Sequence, residues 1–229
     1  MCKGLGYLRP AVPVGHDRFG QMEPCEACGA ILRHRIALFD RYSSRQGRAL
    51  EQFFYTFCPK GPAAPAREAY NAAVRFAADP HGWLVIHGPK GNGKTHLAAA
   101  IANHLIDTCR VPTLFLTVPD LLYALREEIQ VSIQGGAAAQ PNLLQIARTA
   151  PVLILDDLGA ERSTPWVDEQ LFLLLDLRYR LASPTVIITN EALENLPARL
   201  YSRLCDQSLS IVVYNPAPDH RLGTGHVTR

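Results

Sequence analysis

The stretch "WLVIHGPKGNGKTH", Trp83–His96, decides the fold. Its first five residues form a short, mainly apolar run bounded by glycine, the pattern of a strand covered on both faces. Its middle is glycine-rich, and the residues that follow, "LAAAIAN" (Leu97–Asn103), are mostly good helix formers. Gly88-x-x-x-x-Gly93-Lys94-Thr95 fits the pattern G-x-x-x-x-G-K-[ST], here in its required place between strand and helix. The chemistry needs these residue types. Glycines let successive backbone N–H groups converge on a phosphate, with the positive end of the following helix behind them. Lys94 is placed to reach the β- and γ-phosphates, and the Thr95 hydroxyl to ligate Mg²⁺. The expected contacts to ATP run from Gly88 through Pro89, Lys90, Gly91, Asn92, Gly93, Lys94 and Thr95 to His96.

Outward from this stretch come four more apolar runs: "TLFLT" (Thr113–Thr117), "VLILD" (Val152–Asp156), "TVIIT" (Thr185–Thr189) and "LSIVV" (Leu209–Val213). They are apolar almost throughout, and helical patterns separate them, so strand, helix and strand repeat as in a parallel sheet. "APAREAYNAAVRFAADPHG" places Tyr70, Ala73, Val74 and Ala77 on one helix face and stops at Asp79-Pro80. Another helix starts with Thr164 as N-cap and Pro165 at its first position, and ends at Ser183-Pro184. "QVSIQGGAAAQPN", Gln130–Asn142, lacks apolar periodicity and reads as a mobile loop. The prolines of "FCPKGPAAPAR" mark a boundary near residue 60, between a Cys-containing segment, 1–60, and an α/β domain, 61–229.

Two carboxylates, Asp156 and Asp157, close the "VLILD" run, at the edge where parallel sheets hold ligands. Asp156 suits the water shell of Mg²⁺, and Asp157 suits polarisation of an attacking water. One such Asp would read as an exposed turn; two, beside a phosphate loop, read as hydrolytic machinery. Asn190, just after "TVIIT", is a weaker candidate for sensing the γ-phosphate.

With 48% hydrophobic and 19% charged residues, the 229-residue chain has globular composition and length for an α/β domain plus a small appendage. No apolar run approaches the roughly 20 residues of a membrane span, and the first residues lack a signal-peptide core. The expectation is a cytoplasmic protein without membrane partners. The net charge of +2 is uneven: residues 1–60 hold nine Lys/Arg against five Asp/Glu, residues 61–229 fourteen against sixteen. The five arginines of Ile31–Arg48 read first as a solvated helix face, and second as a surface for nucleic acid or an acidic partner. Cys25-x-x-Cys28-Gly29 has the spacing of a zinc knuckle. Cys2 and Cys58 are candidates to complete a Zn²⁺ site with that pair, as are His16 and His34; a metal-free thiol pair is the alternative. Cys109 and Cys205 lie in apolar helical surroundings and are expected in the core.

In this order and spacing, "GWLVIHGPKGNGKTHLAAAIAN", "APVLILDDLGAE", "LLLDLRYR", "PTVIITN" and "RLYSRLCD" resemble the AAA+ ATPases of the DnaC/DnaI/IstB type. These are bacterial and phage helicase loaders and the related transposition ATPases. The resemblance extends roughly from Cys2 to Arg221. It implies an α/β fold: a P-loop AAA+ core with a five-stranded parallel sheet flanked by helices and no helical lid. A small Cys-containing zinc module that docks on the helicase would precede it, although several relatives carry two Cys pairs where this chain has Cys2 and then Cys25 and Cys28. The resemblance also implies Asn190 as a sensor and Arg203 of "SRL" as an arginine finger entering a neighbour's ATP site, with Arg199 as the fallback. So read, the chain is an ATPase that forms a homo-oligomer, binds single-stranded DNA and loads a hexameric replicative DNA helicase. The alternatives are an IstB-like transposition ATPase acting on duplex DNA, and a nucleotide-switched scaffold with little hydrolysis. A small-molecule kinase fits the "LDDLGAE" strand end less well.

Overall fold

All five apolar runs form strands of one parallel sheet in the computed structural model, which describes residues 29–133, 143–160 and 164–221, with 7, 8, 13, 23 and 24. Two-residue strands β1 (Tyr7–Leu8) and β2 (Glu23–Pro24) form a separate antiparallel pair. The main sheet holds β3 (Trp83–His87), β4 (Thr113–Thr117), β5 (Val152–Leu158), β6 (Thr185–Thr189) and β7 (Ser210–Tyr214). Its order is β4-β5-β6-β3-β7, with every pairing parallel. Because β5, β6 and β3 are neighbours, the residues that leave their carboxyl ends meet at one edge.

Alternation along the strands sends side chains to two helical layers. Leu84, Ile86, Ile154, Val186 and Ile188 share a cluster with α2 (Arg67–Ala78) and α3 (Lys94–Asn103). Val85, Leu116, Leu153, Leu155 and Ile187 face α4 (Val118–Ile133), α5 (Leu143–Thr149), α6 (Pro165–Arg180) and α7 (Ala198–Leu204). The helix α1 (Gly29–Arg41) lies against β4.

The buried face of α2 differs from the expected one. It consists of Ala69, Ala72, Ala73, Phe76 and Ala77, whereas Val74 is 38% exposed. Small side chains let α2 approach the alanine-rich face of α3, and Tyr70 turns instead to stack on Phe57 with ring centroids 5.8 Å apart. The helix α4 continues to Ile133, into the stretch expected to be a loop; residues 134–142 lie outside the described set. Thr164 caps α6 by accepting from the Val167 N–H at 3.3 Å, and the helix ends at Arg180, short of Ser183. The expectation for Cys109 is corrected too. Cys109 follows a π-helical turn, His104–Thr108, whose wider spacing buries Leu105 and Ile106 and leaves the cysteine exposed. Cys205 follows α7 half-buried and packs against the core.

Of the five arginines in 31–48, Arg33, Arg35, Arg41 and Arg48 are exposed. Arg45 is buried, donating to Asn103 Oδ1 at 2.6 Å and to Asp40 Oδ1 at 2.7 Å. Asn103 in turn donates to the carbonyls of Ala49 and Gln52 at 2.9 and 2.7 Å. Residues 45–52 are thereby clipped to α3. Among the described residues no helix follows β7, and none is long and apolar enough to cross a membrane.

A second buried arginine has no obvious signal in the sequence. Arg178 of α6 is fully buried and donates to Ala147 O, Ala150 O, Pro184 O and Thr185 Oγ1 at 2.6–3.1 Å. Burial brings its pKa down to about 10. The guanidinium satisfies carbonyls from the end of α5 and from the segments entering β5 and β6. Arg178→Leu strands those acceptors and is expected to lower unfolding free energy by about 3 kcal/mol, read from urea denaturation. A change under about 1 kcal/mol contradicts the assignment.

Candidate nucleotide site

The phosphate loop is shaped by what lies against it. Gly88 has φ 141°, and a Cβ there would stand 2.3 Å from Asn215 O, so only glycine fits. Gly93, with φ 91°, caps α3. Lys94 is 3% exposed, its ammonium turned back to donate to Gly88 O (2.8 Å), Pro89 O (2.6 Å) and Asn92 Oδ1 (3.1 Å). Burial lowers its pKa to about 8, against the opposing pull of Asp156 and Asp157; Arg221 adds to the lowering.

Asn92 ties the loop to the end of the neighbouring edge strand, β7. Its amide donates to Asn215 O at 2.7 Å, and Asn215 returns a bond to Asn92 O at 3.1 Å. The chain then passes back over the loop, with His220 N–H bonded to Gly91 O at 3.0 Å, and brings Arg221 to the rim of the cavity.

A register shift between Leu155 and Leu158 interrupts the pairing of β5 with β6, and Asp157 adopts φ 58°. At this irregularity Asp156 is buried, 1% exposed, while Asp157 lines the cavity. Asp156 accepts from Thr95 Oγ1 at 3.4 Å and from the Asp157 N–H at 3.0 Å. Burial, with Asp157 beside it, raises its pKa to about 6 despite those bonds and Lys94. Asn190 donates to Asp157 Oδ1 at 3.0 Å. The cavity, of about 390 Å³, is lined by Lys90 to His96, Asp157, Ala160, Asn190, Gln52 and Arg221. The imidazole of His96 lies within 3.0 Å of Thr56 Oγ1 and 3.1 Å of Phe53 O, so it holds the preceding segment against the loop.

Lys94, Thr95, Asp156, Asp157 and Asn190 therefore come together. Pro89 and Lys90 are exposed at the rim. Arg199 and Arg203 stand elsewhere, on α7, with guanidinium carbons 4.3 and 4.6 Å from the Phe172 ring centre. Arg203 Nε donates to Asp176 Oδ1 at 2.8 Å, while Arg199 is exposed. Cys2, His16, Cys25 and Cys28 lie outside the described residues. Cys58 and His34 are exposed, and no group of three or more His, Cys, Asp or Glu among the described residues is placed to hold a metal. Sequence reading missed Gln52 and the Asn92–Asn215 pair; for Asn215 the available signal was a polar residue directly after the last apolar run. The donors at Thr95 and Asp156 are hard oxygens, and a buried carboxylate held above its normal pKa wants a cation. The pair fits Mg²⁺.

Sheet order, loop and acidic strand end define a P-loop ATPase domain of the AAA+ class. The chain belongs to the family described as IstB-like ATP binding protein, which it matches over residues 37–210. It is 35% identical over 108 residues to the replicative helicase loader DnaI of Bacillus subtilis, covering 47% of this chain and 32% of that one. It is 29% identical over 235 residues to the putative ATP-binding protein Rv3427c in insertion sequence of Mycobacterium tuberculosis, covering 98% and 86%. The fold is also that of the DnaC helicase loader crystal structure, with TM-score 0.62 at 23% identity over 74% of this chain and 99% of that one. The chain spans only 32% to 62% of the length of the first relatives it matches.

The two shifted groups make stability depend on pH. Folding raises the Asp156 pKa, so the native state binds the extra proton and stability falls as pH rises from about 4 to about 6. Folding lowers the Lys94 pKa, so stability recovers only as pH climbs from about 8 to about 10. Asp156→Asn removes the first cost. In nucleotide-free protein at about pH 7.5 it is expected to add about 2 kcal/mol, a few degrees in Tm, with the gain vanishing near pH 4. Thermal melts across that range check this, and a gain that persists at pH 4 contradicts it.

Proposed function

We propose that this chain is an ATP-hydrolysing helicase loader that assembles on single-stranded DNA and delivers a hexameric replicative helicase. One observation carries the reading: the reacting set is divided. Lys94, Thr95, Asp157 and Asn190 meet in one cavity with Asp156 buried beside Thr95, while Arg199 and Arg203 are stacked on Phe172 away from it.

Lys94 and the loop amides hold the β- and γ-phosphates, exchanging the carbonyl bonds of the ammonium for phosphate oxygens. Asp157, oriented by Asn190, accepts a proton as water bonds to the γ-phosphorus and the bond to the bridging oxygen breaks, leaving ADP and phosphate. Thr95 and, through water, Asp156 would hold Mg²⁺, which when bound would supply positive charge to the phosphates. The remaining cation comes from α7 of a neighbouring copy. Asp176 fixes Arg203 and leaves Arg199 as the more exposed member of the pair. Hydrolysis then requires assembly.

The identity to DnaI and the fold shared with the DnaC loader support the loader. A second reading, a transposition ATPase, is favoured by the near full-length match to an insertion-sequence protein. A pull-down from the native host in ATP, with Lys94→Ala as control, separates them: a hexameric helicase retained only by the wild type is expected, and a transposase in its place selects the second reading. Lys94→Ala is expected to lower turnover by at least about 100-fold. Mixing it with inactive Arg199→Ala, or with Arg203→Ala, should restore hydrolysis for whichever arginine acts in trans. Recovery in neither mixture removes the trans cation from the mechanism.

A further inference from the structure

Gln52 lines the nucleotide cavity, yet its side-chain oxygen Oε1 is buried and has no hydrogen-bond partner. Such an acceptor is costly to leave unpaired. The main chain that carries it is firmly set: the Gln52 backbone carbonyl accepts from Asn103, which is fully buried on α3 and is itself held by Arg45. The phosphates cannot satisfy Oε1, because their oxygens only accept. A nucleotide offers donors in two places, the amino group of its base and the hydroxyls of its ribose. The loop lysine, Thr95 and Asp157 take the phosphate end, and Gln52 enters from the segment that runs along α3 towards His96.

We infer that Gln52 is the residue that reads the base, and that it makes the site selective for a 6-aminopurine. A glutamine amide pairs with adenine in two bonds, Oε1 accepting from the 6-amino group and Nε2 donating to N7. Guanine places a carbonyl where adenine has the amine, so two acceptors would face each other in a buried site. Sites built to bond an N–H discriminate strongly against analogues lacking it. The inference rests on the nucleotide reading of the cavity and adds the residue that recognises the base.

The test measures affinity for ATP, GTP and 2′-deoxyATP in the whole chain and in the variants Gln52→Leu and Gln52→Glu. The wild type is expected to bind ATP at least about tenfold tighter than GTP. Gln52→Leu should weaken ATP about tenfold or more and leave GTP within about twofold, with deoxyATP following ATP. Gln52→Glu keeps the acceptor and loses the donor, so its loss for ATP should be smaller than that of the leucine variant; it also serves should that variant fail to fold. Equal weakening of ATP and GTP, unchanged ATP affinity, or a deoxyATP that escapes the loss overturns the assignment. Failure of the folded wild type to bind any nucleotide overturns the cavity reading along with it.

Discussion

The ammonium of Lys94, buried and bonded to two carbonyls of its own loop and to Asn92, is the contact around which the site is arranged. A buried cation is tolerated only when acceptors surround it. Here the loop supplies them, so the shape of the loop and the position of the charge define each other. Asn92 passes that constraint on, since its amide is locked to Asn215, whose own N–H extends the β3–β7 ladder to His87. A loop that must meet a polyanion is thus held open by the sheet. Its lysine is kept in a state from which phosphate oxygens can take it.

Asp156, bonded to Thr95, is the anionic counterpart. It too is buried, and the two ionised groups hold shifted pKa values of opposite sense. Each shift says that the charged form is less comfortable in the empty protein than in water. A Mg²⁺–nucleotide carries both remedies, a cation for the carboxylate and phosphates for the ammonium. Ligand binding and folding are therefore linked: the free energy withheld from the empty fold is returned when the site fills.

What the sequence disclosed, and what it hid, follows from how each kind of information is written. The five strands were legible because buried strands are apolar along their whole length, and the phosphate loop because its residues are contiguous. Asp156 and Asp157 could be placed at the correct edge because strand order in parallel sheets constrains their neighbours. Hidden were the polar pairings between distant residues: Arg178 with the loops before β5 and β6, Arg203 with Asp176, and Arg45 with Asn103. Nothing local marks them, since a surface arginine and a buried one look alike in sequence. The face of α2 was misjudged for a related reason. Periodicity weighs Tyr70 and Val74 as the larger apolar groups, whereas close helix approach selects the alanines. Cys109 went the same way, carried outward by a π-helical turn that composition does not announce.

The residues just before the composition break near residue 60 lie against the phosphate loop. Phe57 packs so closely on Gly93 that a Cβ there would lie 2.6 Å from the ring. His96, the residue after the Mg²⁺-ligand candidate Thr95, holds Thr56 and Phe53 by its imidazole. Three contacts thus fasten residues 45–57 along α3 from its last residue to its cap: Asn103 to Gln52, His96 to Phe53, and Gly93 to Phe57. The amino end of α3 supplies the positive dipole that receives phosphate, so the front segment and the phosphate loop share one helix as their common wall. Glycine at position 93 is then required twice, by the left-handed turn that starts α3 and by the aromatic ring that leaves no room for a side chain.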